Sequence, residues 1–151
     1  MLLNEANNNN VNVYEDYHFD SNRIKGLYCD GNIALNKELD NTAKRACVLA
    51  EELAHHNITC SNIINYKDLN SSREEQKARL KAYNRLIGLS GIIKCFENHC
   101  SNRNEMAEHL NVTEEFLHEA LECYTQKYSP YVEFDNYVIC FTPNLSVMKI
   151  I

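Results

Sequence analysis

The sequence predicts an α+β fold: a small antiparallel sheet near the N-terminus, a central helix pair, and a C-terminal helical segment that ends in a hairpin. Three observations lead there. Apolar and polar residues alternate on both sides of Asp30-Gly31, a dipeptide that supplies the positive φ of a two-residue hairpin turn, and they alternate again around Asp135-Asn136. Between these stretches, two segments repeat apolar or small residues at helical spacing. The composition is that of an ordinary globular chain, 44% hydrophobic and 24% charged, with only 4 Gly and 2 Pro in 151 residues. A chain of this length can bury a core without disulfide staples. One domain is expected, with residues 1–100 carrying the sheet and the central helices and 101–151 the remaining helices and the hairpin.

Residues 2–6 favour a short helix that the run Asn7–Asn10 stops, because Asn competes for backbone hydrogen bonds. Val11 and Val13 alternate with polar residues and start a strand. Ile24–Cys29 and Asn32–Leu35 are the arms of the first hairpin. A helix from Thr42 to His56 follows, capped by Asn41 or Thr42, with Ala46, Leu49, Ala50 and Leu53 as its apolar stripe. Residues 57–71 are mixed, with room for a short helix. A second helix runs from Ser72 to Leu86, where Ala78 and Ala82 give a smooth face. Gly88 to Gly91 breaks the pattern, 92–100 form a short helix, and 101–127 read as two helices split at Asn111. Tyr131–Phe141 is the second hairpin.

Charge and cysteine usage narrow the functional classes. The net charge is -6, the wrong balance for a polyanion-binding protein. Residues 101–122 have a helix-turn-helix flavour, yet they hold one Arg (Arg103) against six Glu, a face that repels a phosphate backbone. No direct nucleic-acid binding is therefore expected. No apolar run approaches the roughly 20 residues that span a bilayer, so no membrane partner is expected. The start, MLLNEANNNN, lacks the basic and apolar regions of a secretory signal. Seven cysteines, an odd number without a CxxC pair, read as free thiols in a cytoplasmic protein.

The segment that carries chemistry is Glu51-Glu52-Leu53-Ala54-His55-His56. Positions i and i+4 of a helix lie about 40° apart and one turn along, so Glu51 and His55 share a face with Glu52 beside them. The metalloprotease pattern H-E-x-x-H uses this spacing for two ligands and a Glu that activates metal-bound water. Here the first ligand position holds Glu, whose carboxylate still binds Zn²⁺ at a normal distance. A third donor is available at Glu75, 20 residues after His55 near the start of the next helix. His56 lies about 100° around the helix from His55 and reads as a neighbour of the site. Plainer readings stand beside these. Glu51 and His55 also fit a surface i,i+4 pair, and Ser72-Arg-Glu-Glu75 fits a capping box.

The chain resembles ImmA/IrrE-type metallopeptidases of phages and mobile elements. The resemblance rests on IKGLYCDGNIALNKEL, CVLAEELAHHNIT, SREEQKARLKAYNRLI, AEHLNVTEEFLHEALECYTQKY and VEFDNYVICF, which together cover nearly the whole chain. It implies a metal-dependent endopeptidase in which Glu51, His55 and Glu75 hold the metal and Glu52 is the catalytic base. It also implies a specific protein substrate, a helix-turn-helix repressor being the natural candidate. The departure from the family pattern is Glu51 in the first ligand slot. A Glu-Glu-His set leaves a Zn²⁺ site neutral, acidifies bound water less, and makes Mn²⁺ or Fe²⁺ more competitive. The alternatives are a catalytically weak or inactive member that binds a protein regulator, and a DNA-associated regulator using residues 101–122.

Overall fold

In the computed structural model, which describes residues 1–62 and 71–151, Asp30 and Gly31 adopt φ angles of 44° and 77°. Two consecutive positive φ values give the turn whose twist matches flanking strands. The turn joins β2 (Gly26–Cys29) to β3 (Asn32–Asn36) in antiparallel register, Tyr28 opposite Ile33. On the other side of β3 lies β1 (Asn12–Tyr17), and it runs parallel. The α+β class is as expected, but this sheet is mixed. Alternation in a sequence fixes which side chains face the core and leaves strand direction open. The central strand β3 buries Ile33 and Leu35.

The described residues fall into two compact units, Met1–Ala82 and Tyr83–Ile151. In the first, α1 (Leu2–Asn8) reaches two residues into the Asn run before Asn10 ends it at φ 55°. Then α2 (Thr42–Asn62) packs on β2 and β3. Asn41 caps α2, its side-chain oxygen accepting the Lys44 N–H at 2.8 Å. Leu49, Ala50, Leu53 and Ala54 are buried. The helix runs six residues past the expected end at His56. No Gly or Pro follows to stop it, so weak formers such as Asn57 and Thr59 are carried along. The remainder of the mixed stretch, 63–70, lies outside the described residues. α3 (Ser71–Leu86) then begins one residue before Ser72, and the boundary between the units falls inside it.

The second unit contains α4 (Gly88–Glu97), α5 (Arg103–Leu110) and α6 (Glu114–Tyr128), followed by β4 (Tyr131–Phe134), β5 (Tyr137–Cys140) and β6 (Ser146–Lys149). The break expected over Gly88–Gly91 is confined to its first residue, where φ is 61°. Gly91 is inside α4, and a Cβ there would meet the Leu110 side chain at 3.1 Å. Its glycine serves close helix packing, not a turn. Asn111 takes the left-handed conformation and ends α5, and the Thr113 hydroxyl accepts the Phe116 N–H to start α6. The expected second hairpin turns at Asp135, φ 52°, and gains a third antiparallel strand, β6, through the buried Val147.

Candidate active site

The candidate residues lie where α2 passes under the edge of the first sheet. Among the described residues, the sheet order β1-β3-β2 leaves one side of β2 without a strand partner. In an antiparallel ladder, alternate residues turn their N–H and C=O toward the neighbour or away from it. The Asn36 N–H donates to the Lys25 carbonyl at 2.9 Å, so Lys25, Leu27 and Cys29 face β3 while Gly26 and Tyr28 face outward. The outward Tyr28 N–H donates to the Glu52 carboxylate. Gly26 lets the strand lie this close. A Cβ there would stand 2.5 Å from Val48 Cγ1, 3.2 Å from Glu52 Cγ and 3.3 Å from Glu52 Oε1.

Burial under the strand pushes the Glu52 carboxyl above its ordinary range. The positive field of His55 and the Tyr28 N–H pull it back, and the Glu75 charge pushes it up again. Those influences place Glu52, His55 and Glu75 in one electrostatic neighbourhood. His55 Nε2 and Glu75 Oε2 are 3.8 Å apart, and both side chains are open to solvent. The other Glu75 oxygen accepts from Arg79 Nε at 3.1 Å, one helical turn on. Next to His55, the His56 ring takes a hydrogen bond at 2.8 Å between its Nδ1 and the Tyr28 hydroxyl. The two rings meet edge to face, 5.1 Å between centroids. The Gly31 N–H also donates to that hydroxyl, at 3.1 Å.

Of the four residues singled out from sequence, the structure thus brings Glu52, His55 and Glu75 together. Glu51 is half-buried one turn before His55 on α2. In kind, these donors fit a divalent cation, since imidazole nitrogen and carboxylate oxygen both bind Zn²⁺ at about 2.0–2.2 Å. Two donors on one tetrahedral ion sit roughly 3.3 Å apart at those bond lengths, close to the His55–Glu75 separation of 3.8 Å. In position, the fit covers that pair. Among the described residues, no group of three His, Cys, Asp or Glu side chains is assembled as a metal ion requires.

Sequence reading missed Gly26, Tyr28 and Arg79. Arg79 was legible as the i+4 partner of Glu75. Gly26 carried a signal too, because an isolated Gly in a strand marks a close backbone approach. Tyr28 carried none, for its two roles arise only when the strand lies on the helix.

No helix among the described residues is long and apolar enough to cross a membrane. No curated protein and no solved structure matches the chain. A family model does: the peptidase M78 model, described as the IrrE N-terminal-like domain, matches residues 7–122. That span includes the hairpin, α2 and the part of α3 that holds Glu75. The chain belongs to the IrrE N-terminal-like family of metallopeptidase type.

Proposed function

We propose that the chain is a metal-dependent endopeptidase of a phage or mobile element that acts on a specific regulatory protein, a helix-turn-helix repressor being the candidate substrate. The observation that carries the reading is the approach of Glu75 on α3 to His55 on α2, 3.8 Å, with Glu52 beside both. His55 and Glu75, joined by Glu51, are the residues that would hold Zn²⁺, or Mn²⁺ or Fe²⁺ given the carboxylate-rich set. Such an ion, when bound, supplies a Lewis acid for the scissile carbonyl and an acidified water. Glu52 takes the proton of the attacking water and returns it to the leaving amine. A carboxyl raised by burial suits both halves of that task, because it gives up its proton more nearly at the working pH. The Tyr28 N–H holds one side of the carboxylate, which fixes its direction during the exchange.

The test is co-expression with the candidate repressor. Wild type cuts it, and Glu52→Gln leaves it whole. Equal cutting by both rejects Glu52 as the base. A second reading, a protein-binding regulator without catalysis, draws support from Glu51 in the first ligand slot and from the two-donor grouping. Metal analysis of protein purified without chelator separates the two. Near-stoichiometric metal that disappears in His55→Ala belongs to the peptidase, and metal-free wild-type protein to the regulator.

A further inference from the structure

The end of α4 carries a second piece of chemistry, distant in sequence from the residues above. Three backbone hydrogen bonds close this helix: Asn98 N–H to the Lys94 carbonyl at 2.9 Å, His99 N–H to Phe96 at 3.0 Å, and Cys100 N–H to Cys95 at 3.0 Å. With Asn98 as the C-cap and His99 left-handed at φ 56°, the last two are the paired bonds of a Schellman motif. That motif brings the residue three before the cap against the residue two after it, normally as an apolar contact. Here those two positions are Cys95 and Cys100, near enough for the Cys100 thiol to act on the Cys95 thiol.

We infer that Cys95 and Cys100 form a peroxide-reactive dithiol that closes to a disulfide across the α4 C-cap. The geometry favours closure within the chain. A disulfide needs sulfurs about 2.05 Å apart and Cα atoms within about 7 Å. The backbones are already joined by a 3.0 Å hydrogen bond that sets the two side chains side by side across the cap, so side-chain rotation supplies the remaining approach. The two thiols have unequal access. Cys95 is 1% exposed, packed in the core with its thiol near the Met106 carbonyl at 4.0 Å, whereas Cys100 is half-buried. Burial pushes the Cys95 thiol up to about 12, with the neighbouring Cys100 adding to it, so Cys95 is a poor first nucleophile. Cys100 is the thiol that hydrogen peroxide meets.

The steps balance. The Cys100 sulfur attacks peroxide, the O–O bond breaks, and one water leaves as Cys100 becomes a sulfenic acid. The Cys95 sulfur then attacks that sulfenic sulfur, the S–O bond breaks, and its proton leaves with the hydroxyl as a second water. Peroxide has gained two electrons, and the two thiols have lost two. The product ties together the residues on either side of the left-handed His99, where glycine is the usual occupant.

Trypsin offers a direct test, because it cuts after Lys94 and Arg103 and releases both cysteines in one peptide, 95–103. The folded full chain is treated with hydrogen peroxide, quenched with an alkylating reagent and digested. The expected peptide is about 2 Da lighter than its reduced form and carries no alkyl group. It returns to two alkylated thiols when a dithiol reductant is added first. The melting temperature of the oxidised chain rises by about 3 °C, as a short closed loop allows. Cys100→Ser removes both the mass change and the rise. A 95–103 peptide that carries added oxygen, or that keeps two alkylated cysteines while the exposed Cys29 is oxidised, overturns the assignment. So does a bond from Cys100 to any cysteine other than Cys95. The wild-type peptide decides the matter even if the variant fails to fold.

Discussion

Glu52 sits under strand β2, where burial raises its carboxyl above an ordinary value of 4.5. The folded state therefore binds this proton more tightly than the unfolded chain does. The resulting stability is fully present below pH 4.5 and is lost as pH rises through the raised value. At neutral pH the ionised side chain works against the fold. Replacing it with neutral Gln keeps the shape and removes that loss. Chelator-treated Glu52→Gln should melt about 2 °C higher than wild type at pH 7, and the difference should vanish as pH falls toward 4. Paired melts across pH 4–8 check this, and a variant that melts lower at pH 7 would show that the carboxylate is structurally needed. Gly26 makes the complementary case. Its φ is ordinary, so Gly26→Ala meets no backbone strain, only the Val48 methyl at 2.5 Å and the Glu52 stem at 3.2 Å. Overpacking of that kind costs about 1–3 kcal/mol. Denaturant titration should show the loss, and adding Val48→Ala should recover most of it. From sequence, the place of Glu52 beside His55 was legible because it depends on helical spacing alone. Gly26 and Tyr28 were not, because their importance depends on which helix the strand lies upon.

The same division holds for whole elements. Both hairpins were legible, since Asp30-Gly31 and Asp135-Asn136 carry their turn chemistry locally, and so were the cap at Asn41 and the split at Asn111. Features set by distant partners were not. The parallel pairing of β1 with β3 and the third strand β6 depend on tertiary placement. So does the junction between α3 and α4. There the Tyr124 side chain, brought by α6, accepts the Gly88 N–H at 3.2 Å and donates to Asn84 Oδ1 at 3.0 Å. Tyr124 is fully buried, and burial holds its phenol far above the ordinary range. Its hydroxyl thus stays protonated and serves as a fixed cross-brace for a helix break that Gly88 alone permits. Tyr124→Phe leaves the part-buried Gly88 N–H without this acceptor, at a cost of about 0.5–1.5 kcal/mol. Hydrogen exchange gives the sharper readout. The Gly88 amide should lose protection in the variant, while amides at the middle of α6 keep theirs.

At the scale of the molecule, the family match ends at residue 122, inside α6, and the β4–β5–β6 sheet lies beyond it. The candidate chemistry belongs wholly to the first unit, because α2 carries Glu51, Glu52 and His55, and Glu75 precedes the boundary at Ala82. An ion held between α2 and α3 binds the folded form of that unit and stabilises it by mass action. With Zn²⁺ at about a hundred times its dissociation constant, the gain is about 2.7 kcal/mol, read as a rise in melting temperature of about 5–10 °C. His55→Ala and Glu75→Gln should each abolish the rise, since each removes a donor from the 3.8 Å pair. Glu52→Gln should keep it, as a base is not a ligand. Glu51→Gln is the deciding variant. If the carboxylate at 51 turns onto the ion as the first ligand, the rise disappears with it. A rise that persists would leave His55 and Glu75 as the protein's share of the site and remove Glu51 from the ligand set. A wild-type chain whose melting ignores Zn²⁺, Mn²⁺ and Fe²⁺ alike would move the protein to the regulator reading. The charge of the donor set governs the choice among the ions, since each carboxylate that replaces an imidazole shifts preference from nitrogen-loving toward oxygen-loving metals.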